Sequence, residues 1–384
     1  MALIRRRWPV SATALLVASA ALAGCGSGDA TGSSGTTASV PGLSTAEKKV
    51  AALQAAVTDY PVPTTPVRGV AKFKGRKVYY IPFLQQIPAF ADAARSMREA
   101  LAKAGLSQQV CDGKAQPSAI AACVQQAMAA NAAGIVLDAI PYGMAQNALD
   151  AAKAKGIPIV VADQDPPSGF TNSNQVAYVP GATTQPSAIA WWAIADSKGK
   201  ADLIITESAD NPSATKYVTD SLPIYKKYCP GCTVKVKVIT ASTPALLASN
   251  ASSNILANPK ATYYFTQFED SLQPTIQGIQ QSGRASGISL AVTAGSVNGL
   301  GLLKGNSAVK AVVAVDEAYA AYALTDEILR MMTKSGPVEE PFPTRLFTKQ
   351  NIGDIKVTAA TQASGEWFGN DSFHEDFATL WGLG

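Results

Sequence analysis

Side chains able to hydrogen-bond to or stack on a small molecule fall where apolar runs of this 384-residue chain end. They are Phe83 and Gln86, with Phe90 just beyond; Tyr142; Gln164 between Asp163 and Asp165; Asn211; Phe268 and Glu269; Ser296 and Asn298; and Asp316. Amides and carboxylates satisfy hydroxyl and amine groups, and aromatic faces cover the apolar side of a ring, so the mixture suits non-covalent recognition. Several have a plainer reading as well. Phe90 also fits the apolar stripe of a helix, Tyr142 sits as a surface-loop tyrosine does, Asp163 can cap a turn, and Asn211 before Pro212 is a common turn. Their shared placement after strands is the argument for a site.

Reactive constellations are missing. His374, the one histidine, lies in a tail rich in Trp, Phe and Gly, which excludes a histidine-cluster metal centre and leaves any Ser-His-Asp triad dependent on that tail. Gly299-Leu300-Gly301 lacks the lysine and spacing of a phosphate loop, and Glu339-Glu340 reads as a solvated loop. No enzyme, metal or cofactor is expected.

The elements that must hold these residues begin with Lys77–Gly105. Val78–Ile81 is an apolar run of β-formers, as in a parallel strand covered on both faces. After a loop carrying Phe83, Gln85 and Gln86, a helix is predicted from about Pro88 to Ala104, with Phe90, Ala94, Met97 and Leu101 on one face and Gly105 as its stop. Strand–helix alternation then continues. Strands are expected at 106–110, 134–139, 157–162 and 175–179, then at 201–206, 233–239, 262–266, 288–292 and 309–315. Helices are expected at 117–130, 144–155, 185–197, 214–228, 244–257, 272–282, about 300–303 and 319–333. Ser44–Asp59 reads as a further helix capped by Ser44 or Thr45, followed by a Pro-rich arm. The pattern is α/β: two doubly wound parallel-sheet lobes, with the polar loop before position 175 closing the first set. The late helix 319–333 can rejoin the first lobe, giving a multi-segment hinge.

Hydrophobic residues make up 47% of the chain and charged residues 16%, ordinary for a folded α/β protein. The formal charge is +4, and Arg5, Arg6 and Arg7 supply three of those charges. The balance of about +1 is too small for a nucleic-acid footprint. Those arginines precede the apolar stretch Trp8–Ala20 and then Leu22-Ala23-Gly24-Cys25. A charged start, a short apolar run and a small-residue end describe a secretory signal peptide, too short for a comfortable membrane span. Leu-Ala-Gly-Cys resembles a bacterial lipobox, which makes Cys25 the lipidated first residue of the mature chain. The Gly/Ser/Thr-rich stretch after it reads as a flexible tether. With Cys25 acylated, four cysteines remain, an even number suited to an oxidising compartment. Local pairing is expected between Cys111 and Cys123 and between Cys229 and Cys232. The last pair has redox-motif spacing, but it follows a helix end, where the dipole opposes a thiolate, so a structural disulfide is expected.

The opening strand and loop (Lys77–Phe90), Gly134-Ile135-Val136-Leu137-Asp138 before a Pro-containing loop, Gly156-Ile157-Pro158-Ile159-Val160-Val161-Ala162-Asp163, and Tyr264-Phe265-Thr266-Gln267-Phe268-Glu269-Asp270 together resemble the type I periplasmic-binding-protein fold of the ribose-binding kind. The resemblance runs from about Lys77 to Thr348. It implies a lipid-anchored solute-binding protein of the cell envelope, on the outer face of the cytoplasmic membrane or in the periplasm. Such a protein closes on a sugar-like or aromatic, nucleoside-like molecule and delivers it to an ABC permease. It is expected to act as a monomer, with no nucleic-acid partner. The alternative is a receptor of the same fold that signals to a membrane kinase or chemoreceptor. The implied organisation is a leader (1–24), a tether (25–43), an N-terminal helix and arm (44–75), a first lobe (76–179 with 316–342), and a second lobe with tail (180–315 with 343–384). Sugar-binding members usually carry an Arg where Gln164 stands, Asn-Asp where Phe268-Glu269 stands, and an Asp near Ala294-Gly295. They also carry an acid where this chain has Pro141-Tyr142-Gly143. These departures point toward a ligand flatter or less hydroxylated than a pentose.

Overall fold

A computed structural model describes residues 40, 42–181, 183–240, 243–293, 295–305 and 307–383. The leader, Cys25 and most of the tether lie outside the described residues. The chain begins with α1 (Leu43–Gln54) and an arm. The first lobe follows with β1 (Lys77–Pro82), α2 (Pro88–Lys103), β2 (Ser107–Val110), α3 (Pro117–Ala129), β3 (Gly134–Asp138), α4 (Gln146–Ala154), β4 (Ile159–Ala162) and β5 (Val176–Val179). Next come α5 (Gln185–Asp196), β6 (Asp202–Ser208), α6 (Pro212–Tyr228), β7 (Thr233–Ile239), α7 (Pro244–Leu256), β8 (Tyr263–Thr266) and α8 (Leu272–Gln281). The last elements are β9 (Ser289–Thr293), α9 (Val297–Lys304), β10 (Val309–Val315), α10 (Glu317–Thr333), β11 (Thr344–Thr348), α11 (Ala359–Ala363) and α12 (Phe373–Leu380).

The first sheet has the order β2-β1-β3-β4-β5, all parallel, and the second the order β11-β10-β9-β8-β6-β7, parallel except for β11. In each, the order reverses beside the lobe's opening strand. The crevice at a reversal, outside the carboxyl ends of the strands, is where open α/β sheets bind ligands. β1 is buried on both faces because helices cover both sides of the sheet. α2 presents Ala93, Ala94, Met97, Ala100 and Leu101 to that core, and Pro88 opens it, where a missing N–H costs nothing.

The chain passes between the lobes after β5, at Asp316 and after α10. Two further segments cross. α1 packs on the second lobe, where Ala46 is fully buried beside α5, and the arm after it lays Val67 and Val70 into the first-lobe core. α1 stops at Gln54, short of the expected Asp59, and Gly42 rather than Ser44 or Thr45 holds its N-cap position. The chain is extended there because Val57 pairs with Gly369 in a parallel bridge and donates to the Phe368 carbonyl at 2.7 Å. A Cβ on Gly369 would lie 2.0 Å from the Val57 carbonyl oxygen, so only glycine allows this approach.

The tail divides between the lobes instead of staying with the second. Trp367 and Phe368 enter the second-lobe core, whereas Phe373, Phe377, Leu380 and Trp381 complete the first. Tyr60, Tyr319, Tyr322, Phe373 and Phe377 pack ring on ring, with centroids 4.7–6.0 Å apart. His374 lies on Phe373 and Tyr322 and is a packing residue of this cluster. Beneath it the fully buried Arg330 pairs with Asp326 and donates to the Thr65 carbonyl at 2.8 Å, while Trp381 Nε1 donates to Asp326 at 2.7 Å. Arm, helix and tail thus share one buried ion pair. Cys111 is bonded to Cys123 and Cys229 to Cys232, the latter pair directly after α6. Among the described residues, no helix is long and apolar enough to cross a membrane.

Phe373 is fully buried and touches three tyrosines, so Phe373→Ala leaves a cavity in the first-lobe core. A loss of about 3–5 kcal/mol is expected, read as a lower urea midpoint at unchanged slope.

Candidate functional site

The reversal points of the two sheets differ in how their polar groups are met. In the second lobe the crevice is filled from within. Gln267, 2% exposed, accepts from the Ser208 N–H at 2.9 Å and donates to the Ala214 carbonyl at 2.6 Å. In the first lobe, Pro82 and Asp138 are register partners at the ends of β1 and β3. Asp138 is 3% exposed; its Oδ2 accepts from the Tyr80 hydroxyl, and its buried Oδ1 has no donor.

Asp163, one residue past β4, joins Asp138, and Glu317 in the first turn of α10 completes the group. Burial pushes all three carboxyls up. The neighbouring acids raise Asp163 and Glu317 further, whereas the Tyr80 bond and the nearby Asp163 and Ala139 N–H pull Asp138 back down. Burial likewise lifts the Tyr80 phenol, with Asp138 adding to it. The backbone is strained at this point. Ala139 and Asp163 have φ of 55° and 54°, left-handed values that cost a non-glycine residue about 1–3 kcal/mol. Gly181 at the hinge lies against the Asp163 side chain so closely that a Cβ there would be 1.8 Å from Oδ1.

One set of bonds between the lobes centres on Ser213. Ser213, at the start of α6, accepts from the Asp165 N–H at 3.0 Å and reaches Gln164 Oε1 at 3.4 Å. Tyr217, one turn further along α6, is 4% exposed and its hydroxyl has no partner. On another flank, the tail's Gln362 accepts from the Val297 N–H of the second lobe at 2.9 Å and donates to Asp92 of α2.

Of the residues expected from sequence, Gln164 is brought to the cleft, 3% exposed. Phe90 and Phe268 stay half-buried, the first outside the α2 core stripe and the second at the end of β8. Others are engaged by the protein itself. Phe83 and Tyr142 pack on the core of the α3–α4 face, and the Tyr142 hydroxyl donates to Asp150 at 2.9 Å. Gln86 is exposed and reaches Asp112, whose carboxylate also accepts from the Gln85 and Lys114 N–H groups at 3.0 Å. Burial of Asp112 works against its charge, but those backbone donors win and hold its pKa low. Asn211 caps α6, and Glu269 accepts from Ser296 and from the Gly299 N–H at 3.0 Å, securing the start of α9. Asn298 is exposed, with its N–H on Ser296 Oγ. Asp316 caps α10 through the Ala318 and Tyr319 N–H groups and takes the Tyr60 hydroxyl at 2.6 Å. Tyr80, Asp138, Tyr217 and Glu317 were not among the expected residues. The available signal was an acid closing the otherwise apolar run Gly134–Asp138.

A cavity of about 750 Å³ lies elsewhere, at the amino ends of β8, β9 and β10, lined by Thr262, Ser289 and Lys310 among others. It is remote from the carboxyl-end crevices and brings no carboxylate together.

The model of the periplasmic binding protein domain matches residues 78–335. The chain belongs to that family. It is a solute-binding protein rather than an enzyme, and no curated protein matches it in sequence. Among solved structures, the 5-methylthioribose transporter solute-binding protein of Thermotoga lettingae TMO aligns with a TM-score of 0.68 at 14% identity, over 83% of this chain and 99% of that one. The sugar ABC transporter of Yersinia enterocolitica gives 0.66 at 19%, over 83% and 98%. The Caulobacter myo-inositol binding protein gives 0.61 at 14%, over 77% and 98%. At these identities the likeness is one of fold. The fold is that of type I periplasmic binding proteins, two α/β lobes on a multi-segment hinge.

Asp316 of this periplasmic binding protein has its pKa raised to about 6, burial outweighing the bonds from Tyr60 and the two N–H groups. Unfolded, the group titrates near 3.8, so between these values the folded state holds more proton and stability falls as pH rises. Asp316→Asn keeps a capping side chain and removes the titration. It is expected to flatten the loss of stability between pH 4 and pH 7 by roughly 2–3 kcal/mol, measured by urea unfolding across that range.

Proposed function

We propose that the chain captures a polar, sugar-sized molecule between its lobes and hands it to an ABC permease. The observation that carries this reading is the unsatisfied crevice of the first lobe: the buried Asp138 Oδ1 without a donor, opposite the unpartnered Tyr217 hydroxyl of the second lobe. Buried polar atoms left alone cost about 1–3 kcal/mol each, and a ligand rich in hydrogen-bond donors recovers that cost. Phe90 and Phe268 are the half-exposed aromatics available to cover the apolar face of such a molecule. Because its contacts come from both lobes, the ligand favours the closed arrangement. The structural relatives named above are described with 5-methylthioribose, as a sugar transporter and with myo-inositol, which supports a small hydroxylated ligand.

The same reading places the protein outside the cytoplasmic membrane, held by a lipid on Cys25. The support is the ordered leader: three arginines, an apolar run, then Leu-Ala-Gly-Cys.

Two measurements check these points. A thermal-melt screen of residues 40–384, a compact unit by itself, against pentoses, hexoses, polyols and nucleosides should find a stabilising class. At a hundred times its dissociation constant, a ligand contributes about 2.7 kcal/mol. Silence across the whole panel contradicts capture of a sugar-like solute. Separately, Cys25→Ser should move the protein from the membrane fraction to the soluble one in the native host. Unchanged partitioning contradicts the lipid anchor.

A further inference from the structure

The cleft floor carries a cluster of acids without a basic partner. Asp138 and Asp163 end neighbouring strands, Glu317 opens α10 beside them, and Asp165 follows two residues on. Among the described residues, no Lys, Arg or His forms an ion pair with any of the four. The cation acting on Asp165, Lys216, is paired with Asp220, and Arg95 is paired with Asp92. The remaining charged groups facing Glu317 are Asp92 and Asp316, which also oppose its ionisation. From the second lobe, the Tyr217 phenol faces Asp163 and Asp165, and Lys216 and Asp220 act on Asp165.

Two buried atoms in this set lack partners. They are Asp138 Oδ1, on a residue 3% exposed, and the Tyr217 hydroxyl, on a residue 4% exposed. A sugar hydroxyl can donate one bond to either but gives these acids no counter-charge on which to ionise. A metal ion is a poor candidate, because no group of three or more His, Cys, Asp or Glu among the described residues is placed to hold one. An ammonium fits both needs: it brings three donors and a full positive charge, and its bonds to carboxylates are the strong, charge-assisted kind.

Building on capture in this cleft, we propose that the solute is a hydroxylated primary amine, such as an amino sugar. Its ammonium sits against Asp138 and Asp163, with Glu317 adding its charge from α10 and the Tyr217 oxygen as a further acceptor. Burial, and for Asp163 and Glu317 the neighbouring acids as well, favours the protonated forms of these carboxyls. An arriving ammonium favours the ionised forms, so binding releases protons, and affinity rises with pH until the amine itself loses its charge.

The test is titration calorimetry of residues 40–384 with glucosamine and galactosamine, beside glucose, galactose, myo-inositol and N-acetylglucosamine as neutral counterparts. Running it at pH 5 and pH 7, in two buffers of different ionisation enthalpy, counts the protons exchanged. The amino sugars are expected to bind at least roughly tenfold more tightly than any neutral counterpart, the worth of one charge-assisted bond. Proton release and tighter binding at pH 7 are also expected. Asp163→Asn and Glu317→Gln should each weaken the amino sugar by a similar factor, with urea midpoints confirming that each variant is folded; two variants guard against one failing to fold. Neutral sugars binding as tightly as amines overturns the amine assignment and leaves capture standing. Heat from calcium chloride alone at these carboxylates also overturns it, in favour of a metal. No binding by any of these sugars overturns the amine assignment, and capture itself falls only if the wider panel is silent too.

Discussion

One carboxylate at the turn from β10 into α10 organises the molecule. Asp316 accepts from the first two N–H groups available in α10 and from the Tyr60 hydroxyl of the arm, and the tail passes it at Gly365, where a Cβ would be 3.1 Å from its oxygens. β10 belongs to the second lobe and α10 packs into the first, so the backbone angle fixed at this cap bears on the angle between the lobes. Neither partner of the carboxylate is a cation. It is held by dipoles alone in a buried place, which is why its proton is retained to an unusually high pH.

The asymmetry between the two crevices follows from what each lobe can spare. The second lobe spends Gln267 on its own strand ends, and Asn211 and Glu269 on the starts of α6 and α9, so its carboxyl edge is largely self-satisfied. The first lobe leaves carboxyls crowded over left-handed backbone at Ala139 and Asp163, a costly arrangement that packing alone does not call for. Strain and unmet polarity are thus concentrated on one side of the cleft. The Cys111–Cys123 disulfide brackets Asp112, and Asp112 fixes the loop at Gln85, so the rim of the first lobe is braced covalently.

Most of the fold was legible because parallel strands buried on both faces read as apolar runs and the helices between them as striped segments. β7 and β10 occupy the residues expected from that pattern. β11 was not legible. Thr344–Thr348 is short, contains Arg345, and becomes a strand only by antiparallel pairing with β10, a contact made from far along the chain. α12 is likewise brief, and it is ordered by the rings of Tyr319 and Tyr322 rather than by its own periodicity. The site was legible in position more than in identity. A polar residue between a strand and a helix serves equally as a ligand contact or as a helix cap, and Asn211, Glu269 and Asp316 are all used in the second way here. Tyr80 and Tyr217 escaped for the opposite reason: each lies in a run that reads as core, and its hydroxyl matters only once the sheet order is known.

The order in which the chain is made bears on all of this. The first lobe holds the earliest strands, yet its core is closed by α10 and then by Phe373, Phe377 and Trp381, far along the chain. Until those residues have emerged from the ribosome, β1 to β5 lack part of the packing on one of their faces. Long-range closure of this kind is slow, and here it is also late. A chain that cannot finish its first lobe until Phe373 to Trp381 are made stays threadable, and for a protein that works outside the cytoplasm that delay acts as a timer in favour of export before folding.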